Sequence, residues 1–166
     1  MVAVEAGLGM LRFLFERGKA YLSRDSIEGI LLNGVQRNQV EIVQYLIQDF
    51  GFTKADFDRM DLLHRARRSR RMMKTLQNYG ADINSLDTHG KTVLHYAAED
   101  SYPLLVAFLL CRGADATIRD KDKHSLARDY ASADSRVPEI FENYERKKKG
   151  AGSNDWLRVR LCWMEK

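Results

Sequence analysis

The sequence predicts an all-α fold built from repeated helix-turn-helix units, and three observations carry that prediction. Residues 87–120 contain two short helical patterns with turn-forming residues at both ends. Asp120 restarts the pattern 33 residues after Asp87. A similar spacing of apolar and small residues recurs in residues 26–82. One such unit is too small to bury its apolar face alone, so the units are expected to pack against one another.

The segment 87–120 shows the punctuation of a helix pair most clearly. Gly90 lies where a tight turn needs a positive φ, which glycine adopts without a Cβ clash. Thr92 is a suitable N-cap for the first helix, and Pro103 suits the first position of the second. Gly113 is expected to end the pair in the left-handed region. The predicted apolar faces consist of Leu94, Ala97 and Ala98, then Val106, Leu109 and Leu110.

Two short motifs at this 33-residue spacing closely resemble the ankyrin repeat. They are L-H-x-A, at Leu94, His95 and Ala97, and G-A-D, at residues 113–115. The family's T-P-L-H also resembles residues 92–95, where only the proline is missing. The resemblance implies a solenoid whose partners bind a concave row of residues and the turn tips. It also implies that His95 supports the turn by hydrogen bonding.

The other units resemble the family less well. In residues 26–52, Leu31, Gly34 and Val35 take the places of its apolar and small residues, and Asn38 replaces a turn glycine. The next unit runs 17 residues from Leu63 to Gly80, against 19 from Leu94 to Gly113. We therefore expect that unit to have a shorter inter-helix turn or second helix.

The two ends of the chain depart furthest from the pattern. Residues 1–18 fit an incomplete first unit, and a unit beginning at Asp120 is degenerate, with a one-residue slip. Pro138 is expected to start a last helix. We predict an array of four to five units over 1–148 and a divergent tail over 149–166. Trp156 and Trp163 in this tail fit both a strand and a helix, and either a recognition segment or a cover for the solenoid end.

Composition narrows the class of protein. The chain has 166 residues, 45% of them hydrophobic and 30% charged, which is typical of one globular domain. Its longest apolar run is too short to cross a bilayer, and its start does not resemble a secretion signal. Two cysteines are too few for a disulfide framework. These features favour an intracellular, cytoplasmic setting without membrane insertion.

No pattern in the chain indicates catalysis. A nucleophile elbow, a phosphate loop, a paired-cysteine motif and H-E-x-x-H are all missing from the sequence. His64 and His95 occupy equivalent repeat positions and are expected to lie about 10 Å apart, by the usual spacing of packed helices. We therefore expect no enzymatic activity, no cofactor and no metal site.

A run of cations is the most unusual local feature. It comprises Arg65, Arg67, Arg68, Arg70, Arg71 and Lys74. Arg67 stands where the next unit has the small Ala98. One interpretation is a patch that attracts an acidic protein, RNA or phospholipid. The other is a solvated face partly neutralised by Glu99 and Asp100.

The concave row is expected to consist of Asn33, Arg65 and Tyr96, with Tyr96 facing outward between His95 and Ala97. The turn tips supply further candidates around His89 and Lys121. The full set of predicted partner-binding residues is Asn33, Arg65, Arg68, Thr88, His89, Lys91, Tyr96, Glu99, Lys121 and Lys123.

The sequence thus predicts a non-enzymatic protein-protein interaction module or scaffold, whose partner is acidic if the basic patch takes part. Two alternatives stay open. One is a subunit of a large assembly that contacts RNA or an acidic partner, although a net charge of +4 supports nucleic-acid binding only weakly. The other is a regulatory ankyrin segment of a longer enzyme or channel.

Overall fold

The computed structural model describes residues 23–149 and, before them, Gly9, Phe13 and Arg17, which are helical. The helices from residue 23 onward are α1 (Arg24–Gln36), α2 (Val40–Phe50), α3 (Lys54–Arg59), α4 (Leu62–Arg65), α5 (Arg70–Asn78), α6 (Val93–Glu99), α7 (Pro103–Cys111), a 3-10 helix (Ala127–Tyr130) and α8 (Val137–Lys149). In this described part the only β-structure is an isolated antiparallel bridge between Arg119 and Leu126.

The all-α prediction is therefore confirmed. The chain divides into two compact units, an N-terminal unit (1–80) and a C-terminal unit (81–166). None of the helices described is both long and apolar enough to cross a membrane.

The helix pair of the C-terminal unit forms as its punctuation predicts. Gly90 has φ +72°, and Gly113 has φ +91°. Helix α6 follows Thr92, which has an extended backbone, and Pro103 is the first residue of α7. The predicted apolar faces of both helices are buried: Leu94, Ala97, Ala98, Val106, Leu109 and Leu110.

In the N-terminal unit, α1 packs on α2 and α4. Ser23 caps α1 by accepting a hydrogen bond from the Ser26 N–H, so this helix begins earlier than the repeat pattern suggests. Gly34 permits a close approach of α1 and α2, because a Cβ there would lie 3.0 Å from Val43 Cγ2. Asn38 has φ +57°, which confirms its predicted role as the glycine substitute between them.

The predicted site of shortening in the next unit was wrong. Helix α5 has nine residues, as many as α7, whereas α4 has four residues against seven in α6. The missing residues thus fall in the first helix. Arg67 is half-buried at the place where Ala98 is fully buried. A guanidinium needs more space and more polar surroundings than a methyl group, which explains why α4 stops at Arg65.

Helix α3 was not predicted, and it lies where the C-terminal unit has its turn. A capping box starts it: the Thr53 side chain accepts from the Asp56 N–H, and Asp56 accepts from the Thr53 N–H. Its Phe57 is only 2% exposed. Arg59 at the end of α3 binds Glu28 of α1 at 2.6 Å, and Arg24 binds Asp56 at 3.1 Å. These contacts attach α3 to the N-terminal unit.

After Asp120 the structure shows the predicted one-residue slip. The turn is closed by the Asp120 N–H donating to the Ser125 carbonyl, one residue further along than the equivalent Asp87–Lys91 bond. The short 3-10 helix is the one helix between this turn and α8. Helix α8 begins at Val137, one residue before the predicted start. The tail with Trp156 and Trp163 lies outside the described residues.

Candidate functional site

The turn tips predicted to bind a partner bind each other within the C-terminal unit. The Lys121 N–H donates to the His89 carbonyl at 2.9 Å. His89 Nδ1 lies 3.0 Å from Asp122 Oδ2. Gly90 makes this contact possible, since a Cβ there would lie 3.0 Å from the Lys121 nitrogen and 2.6 Å from its Cγ. The turn around His89 and the turn around Lys121 are therefore joined by direct contacts between their tips.

Asp87 organises the first of these turns. Its Oδ1 accepts from the N–H groups of His89 at 2.9 Å and Lys91 at 2.8 Å. Its Oδ2 accepts from the Tyr96 hydroxyl at 2.6 Å. Tyr96 is half-buried. We expected Tyr96 to face outward, but its hydroxyl is directed to this carboxylate, and its role in partner contact stays a prediction.

Asp120 repeats the arrangement in the next turn and is itself buried. It accepts from the N–H groups of Lys123 at 2.7 Å and Ser125 at 2.9 Å, and from the Tyr130 hydroxyl at 3.2 Å. The hydrogen bond from the Lys123 backbone is the largest influence that lowers the pKa of Asp120, which falls to about 2. The carboxylate is thus held in its charged form.

Lys91 lies between the two tyrosines. Its Nζ is 4.2 Å from the Tyr130 ring centroid and 5.2 Å from that of Tyr96, and it binds Glu99 at 3.0 Å. Burial lowers the pKa of Lys91, but Glu99 and Tyr130 together more than offset that effect, so the pKa is raised. Its side chain is only 13% exposed. The predicted contact residue Lys91 is therefore largely buried and paired with Glu99, which is itself exposed.

His95 is fully buried and supports its turn, as the resemblance implies. Its Nδ1 accepts from the Thr92 N–H at 3.1 Å and lies 2.9 Å from the Thr92 hydroxyl oxygen. Burial lowers the pKa of His95, and the Ser125 backbone opposes this shift. Among the residues that the structure describes, no group of three or more His, Cys, Asp or Glu side chains is arranged to hold a metal ion.

The cationic run of the N-terminal unit is only partly an open patch. Arg71 binds Glu41 at 2.8 Å, and Arg67 is half-buried. Five of the six cations are exposed, and leaving out Arg71, which is paired with Glu41, four remain: Arg65, Arg68, Arg70 and Lys74. We call them the basic surface. Glu41 thus pairs with one cation of this run, whereas Glu99, which we expected in that role, binds Lys91.

The structure separates the ten predicted contact residues into two groups. It brings His89, Lys91, Tyr96 and Glu99 into the C-terminal cluster of turns and rings. His89 and Glu99 stay exposed within that cluster, and the remaining six are also exposed: Asn33, Arg65, Arg68, Thr88, Lys121 and Lys123. The sequence analysis did not identify Tyr130 as part of this cluster. The signal was its position 10 residues after Asp120, since Tyr96 lies 9 residues after Asp87.

These features define a class: an all-α repeat protein whose exposed polar side chains stand on short helices and on turns with internal hydrogen bonds. The chain belongs to the ankyrin repeat family. Its residues 31–120, more than half of the sequence, match the family model for ankyrin repeats in three copies. Ankyrin repeats generally mediate protein-protein interactions, so the coarse functional prediction agrees with the family.

Individual relatives match shorter stretches. A putative ankyrin repeat protein, L271 of Acanthamoeba polyphaga mimivirus, is 41% identical over 51 residues, covering 31% of this chain and 7% of the viral protein. Protein phosphatase 1 regulatory subunit 27 from human is 42% identical over 50 residues, covering 30% of this chain and 32% of that protein. The mouse protein of that name gives the same values. The match thus covers less than a third of the length of each of these relatives.

Proposed function

We propose that this chain is a non-enzymatic protein-binding module or scaffold that presents polar side chains on a preformed helical surface. The observation that carries the proposal is a contrast between neighbouring positions of the first helices. Leu31 and Gly34 are buried in α1, while Asn33 between them is exposed. Leu63 and Ala66 are buried around α4 in the same way, while Arg65 is exposed.

This contrast separates two roles within each helix. The buried residues maintain packing and stay small or apolar. The exposed residue between them differs in chemistry from unit to unit, so it contributes little to packing and is available for recognition. A rigid surface of this kind loses little conformational entropy when a partner binds, which favours affinity without a chemical step.

The exposed tip residues of the C-terminal unit form a second proposed binding surface. Thr88, Lys121 and Lys123 lie on turns whose backbones are held by Asp87 and Asp120. Both carboxylates accept from backbone N–H groups within their own turns, so the tips are preorganised. His89 and Lys91 hold these turns together, and their part in binding is indirect.

One named partner is suggested by similarity. Human protein phosphatase 1 regulatory subunit 27 shares 42% identity over 50 residues with this chain. Protein phosphatase 1 is therefore a candidate partner for direct measurement with purified components. The similarity covers only 30% of this chain, so an unrelated partner is equally compatible with the proposal.

Affinity capture from cell lysate tests the proposal. The immobilised chain would be compared with Arg65→Glu/Arg68→Glu and with Lys121→Glu/Lys123→Glu. The matched control, Arg136→Glu/Lys148→Glu, reverses two exposed charges elsewhere. We expect mass spectrometry to find a protein that wild type and control retain at high salt and that one test variant loses. Captured material that is equal in all four samples, or that nuclease releases, would contradict the proposal.

A further inference from the structure

We propose that the basic surface around Arg65 and Arg68 binds an acidic segment of a protein partner. This inference rests on the protein-binding function proposed above and adds the chemistry of the partner. Arg65 is the last residue of α4, and Arg68 lies in the turn that leads to α5. The Ser69 N–H donates to the Ala66 carbonyl at 2.8 Å within that turn, so the two arginines flank a fixed stretch of backbone.

Arg65 is oriented by the protein itself. Its Nε donates to the Met60 carbonyl at 3.0 Å, and its side chain is exposed. With Nε engaged, the two terminal nitrogens remain as a planar pair of donors. Such a pair matches the two oxygens of a carboxylate.

Arg68 is exposed as well, and it forms no hydrogen bond or ion pair with any residue in the described part of the chain. It therefore has no role in holding this part of the fold together. Arg71 differs, since Glu41 at 2.8 Å already neutralises it. The distinction between these two arginines could not be made from the sequence alone.

The charge pattern of α5 does not favour the stability of that helix. Its first two residues are Arg70 and Arg71, and its first turn has no acidic residue. Cations at a helix N-terminus interact unfavourably with the helix dipole. The charges at the start of α5 therefore do not stabilise the helix, so helix stability does not account for the two arginines there.

A protein segment fits better than nucleic acid. Residues 62–78 contain no Phe, Tyr or Trp, and the His64 ring is buried, so the surface lacks exposed rings on which single-stranded bases stack. Glu41 belongs to the same unit and pairs with Arg71 at 2.8 Å, so it interrupts the positive field that a long polyanion would follow. A short acidic segment needs only the local cluster of cations.

Fluorescence anisotropy with the full chain tests the inference. The probe is a short labelled peptide in which glutamate alternates with serine, at fixed moderate salt. Wild type would be compared with Arg65→Gln/Arg68→Gln and with the control Arg136→Gln/Lys148→Gln, which removes the same charge from exposed sites. We expect the test variant to weaken binding about tenfold or more, which corresponds to the loss of one charge-assisted contact or more. The control should change it less than about twofold.

Three outcomes would overturn the inference. They are no measurable peptide binding by wild type, equal weakening in test variant and control, and tighter binding of a labelled oligouridylate that the test variant abolishes. Circular dichroism of every variant establishes that each one is folded. If the peptide result is negative while Lys121→Glu/Lys123→Glu still loses a captured protein, only the acidic-partner inference fails and the protein-binding function stands.

Discussion

The Tyr96 hydroxyl donates a 2.6 Å hydrogen bond to Asp87 Oδ2, nine residues earlier in the chain. The same carboxylate closes the turn through two backbone N–H groups, so one helix is tied to the turn that precedes it. Tyr130 and Asp120 repeat the relationship at 3.2 Å in the next turn. The same tyrosine–aspartate hydrogen bond therefore occurs in two consecutive turns of the C-terminal unit.

Tyr96→Phe removes only this hydroxyl. We expect a loss of about 1 kcal/mol in unfolding free energy, the usual net value of a hydrogen bond. Urea denaturation followed by circular dichroism would measure it. Tyr102→Phe is the matched control, because Tyr102 is 43% exposed and its hydroxyl forms no hydrogen bond with the described residues. Equal stability of the two variants would show that the Asp87 bond contributes nothing.

Gly90→Ala should destabilise the C-terminal unit more than Gly51→Ala destabilises the N-terminal unit. Both glycines have positive φ, at +72° and +62°, so each alanine incurs backbone strain of about 1 kcal/mol. At Gly90 the new Cβ would also lie 3.0 Å from the Lys121 nitrogen, whereas nothing lies within 4 Å at Gly51. Thermal unfolding of both variants would measure the difference, and a smaller effect at Gly90 would contradict the close contact between the turns.

Asp120 should give the chain an acid-sensitive contribution to stability. Its pKa is lowered from 3.8 to about 2 in the folded protein. Since the folded value is the lower one, the contribution is fully present above about pH 4 and is lost as the pH falls toward 2. Asp120→Asn should therefore reduce stability at neutral pH and flatten its dependence on pH across that window.

Urea midpoints of wild type and Asp120→Asn, measured from about pH 2 to about pH 7, would test this effect. This range includes the interval between the two pKa values of Asp120, 3.8 and about 2, over which the contribution is lost. Asp134→Asn is a suitable control, because Asp134 is exposed. If Asp120→Asn kept the steepness of the wild-type curve below pH 4, the hydrogen-bonded carboxylate would not be its source.

Phe57→Ala tests whether α3 belongs to the core of the N-terminal unit. Phe57 is 2% exposed, so its truncation should cost about 3–5 kcal/mol through lost burial and a residual cavity. Leu104→Ala removes an apolar side chain that is 52% exposed, and its effect should stay within about 0.5 kcal/mol. Similar unfolding midpoints for the two variants would mean that α3 is only loosely attached.

Much of the fold could be predicted from short-range signals. Gly90, Asn38 and Gly113 have the positive φ angles expected for their turns, and α7 begins at Pro103. Helix α3 was missed although Thr53 and Asp56 carry the spacing of a capping box, because the family pattern has no helix there. The shortening was assigned to the inter-helix turn or the second helix instead of α4, because the spacing between two motifs gives the number of missing residues but not their position.

The candidate site could be predicted only in part. Sequence alone identified Arg65 and Arg68 as exposed cations, and the structure agrees. It could not show that Tyr96 is directed inward, because its residue type suits both an interface and an internal hydrogen bond. The pairing of Arg71 with Glu41, 30 residues apart, depends on how α2 and α5 pack.

The sequence by itself determined the family, the helix boundaries set by glycine, proline and threonine, and the apolar faces. These depend on backbone geometry and on periodicity, which act within a few residues. The tertiary structure decided which charged and aromatic side chains hold the fold and which stay exposed. Lys91 reaches the Tyr130 ring at 4.2 Å across 39 residues, and Arg68 finds no such partner among the residues described. A side chain can be assigned to stability or to recognition only once packing has placed its neighbours.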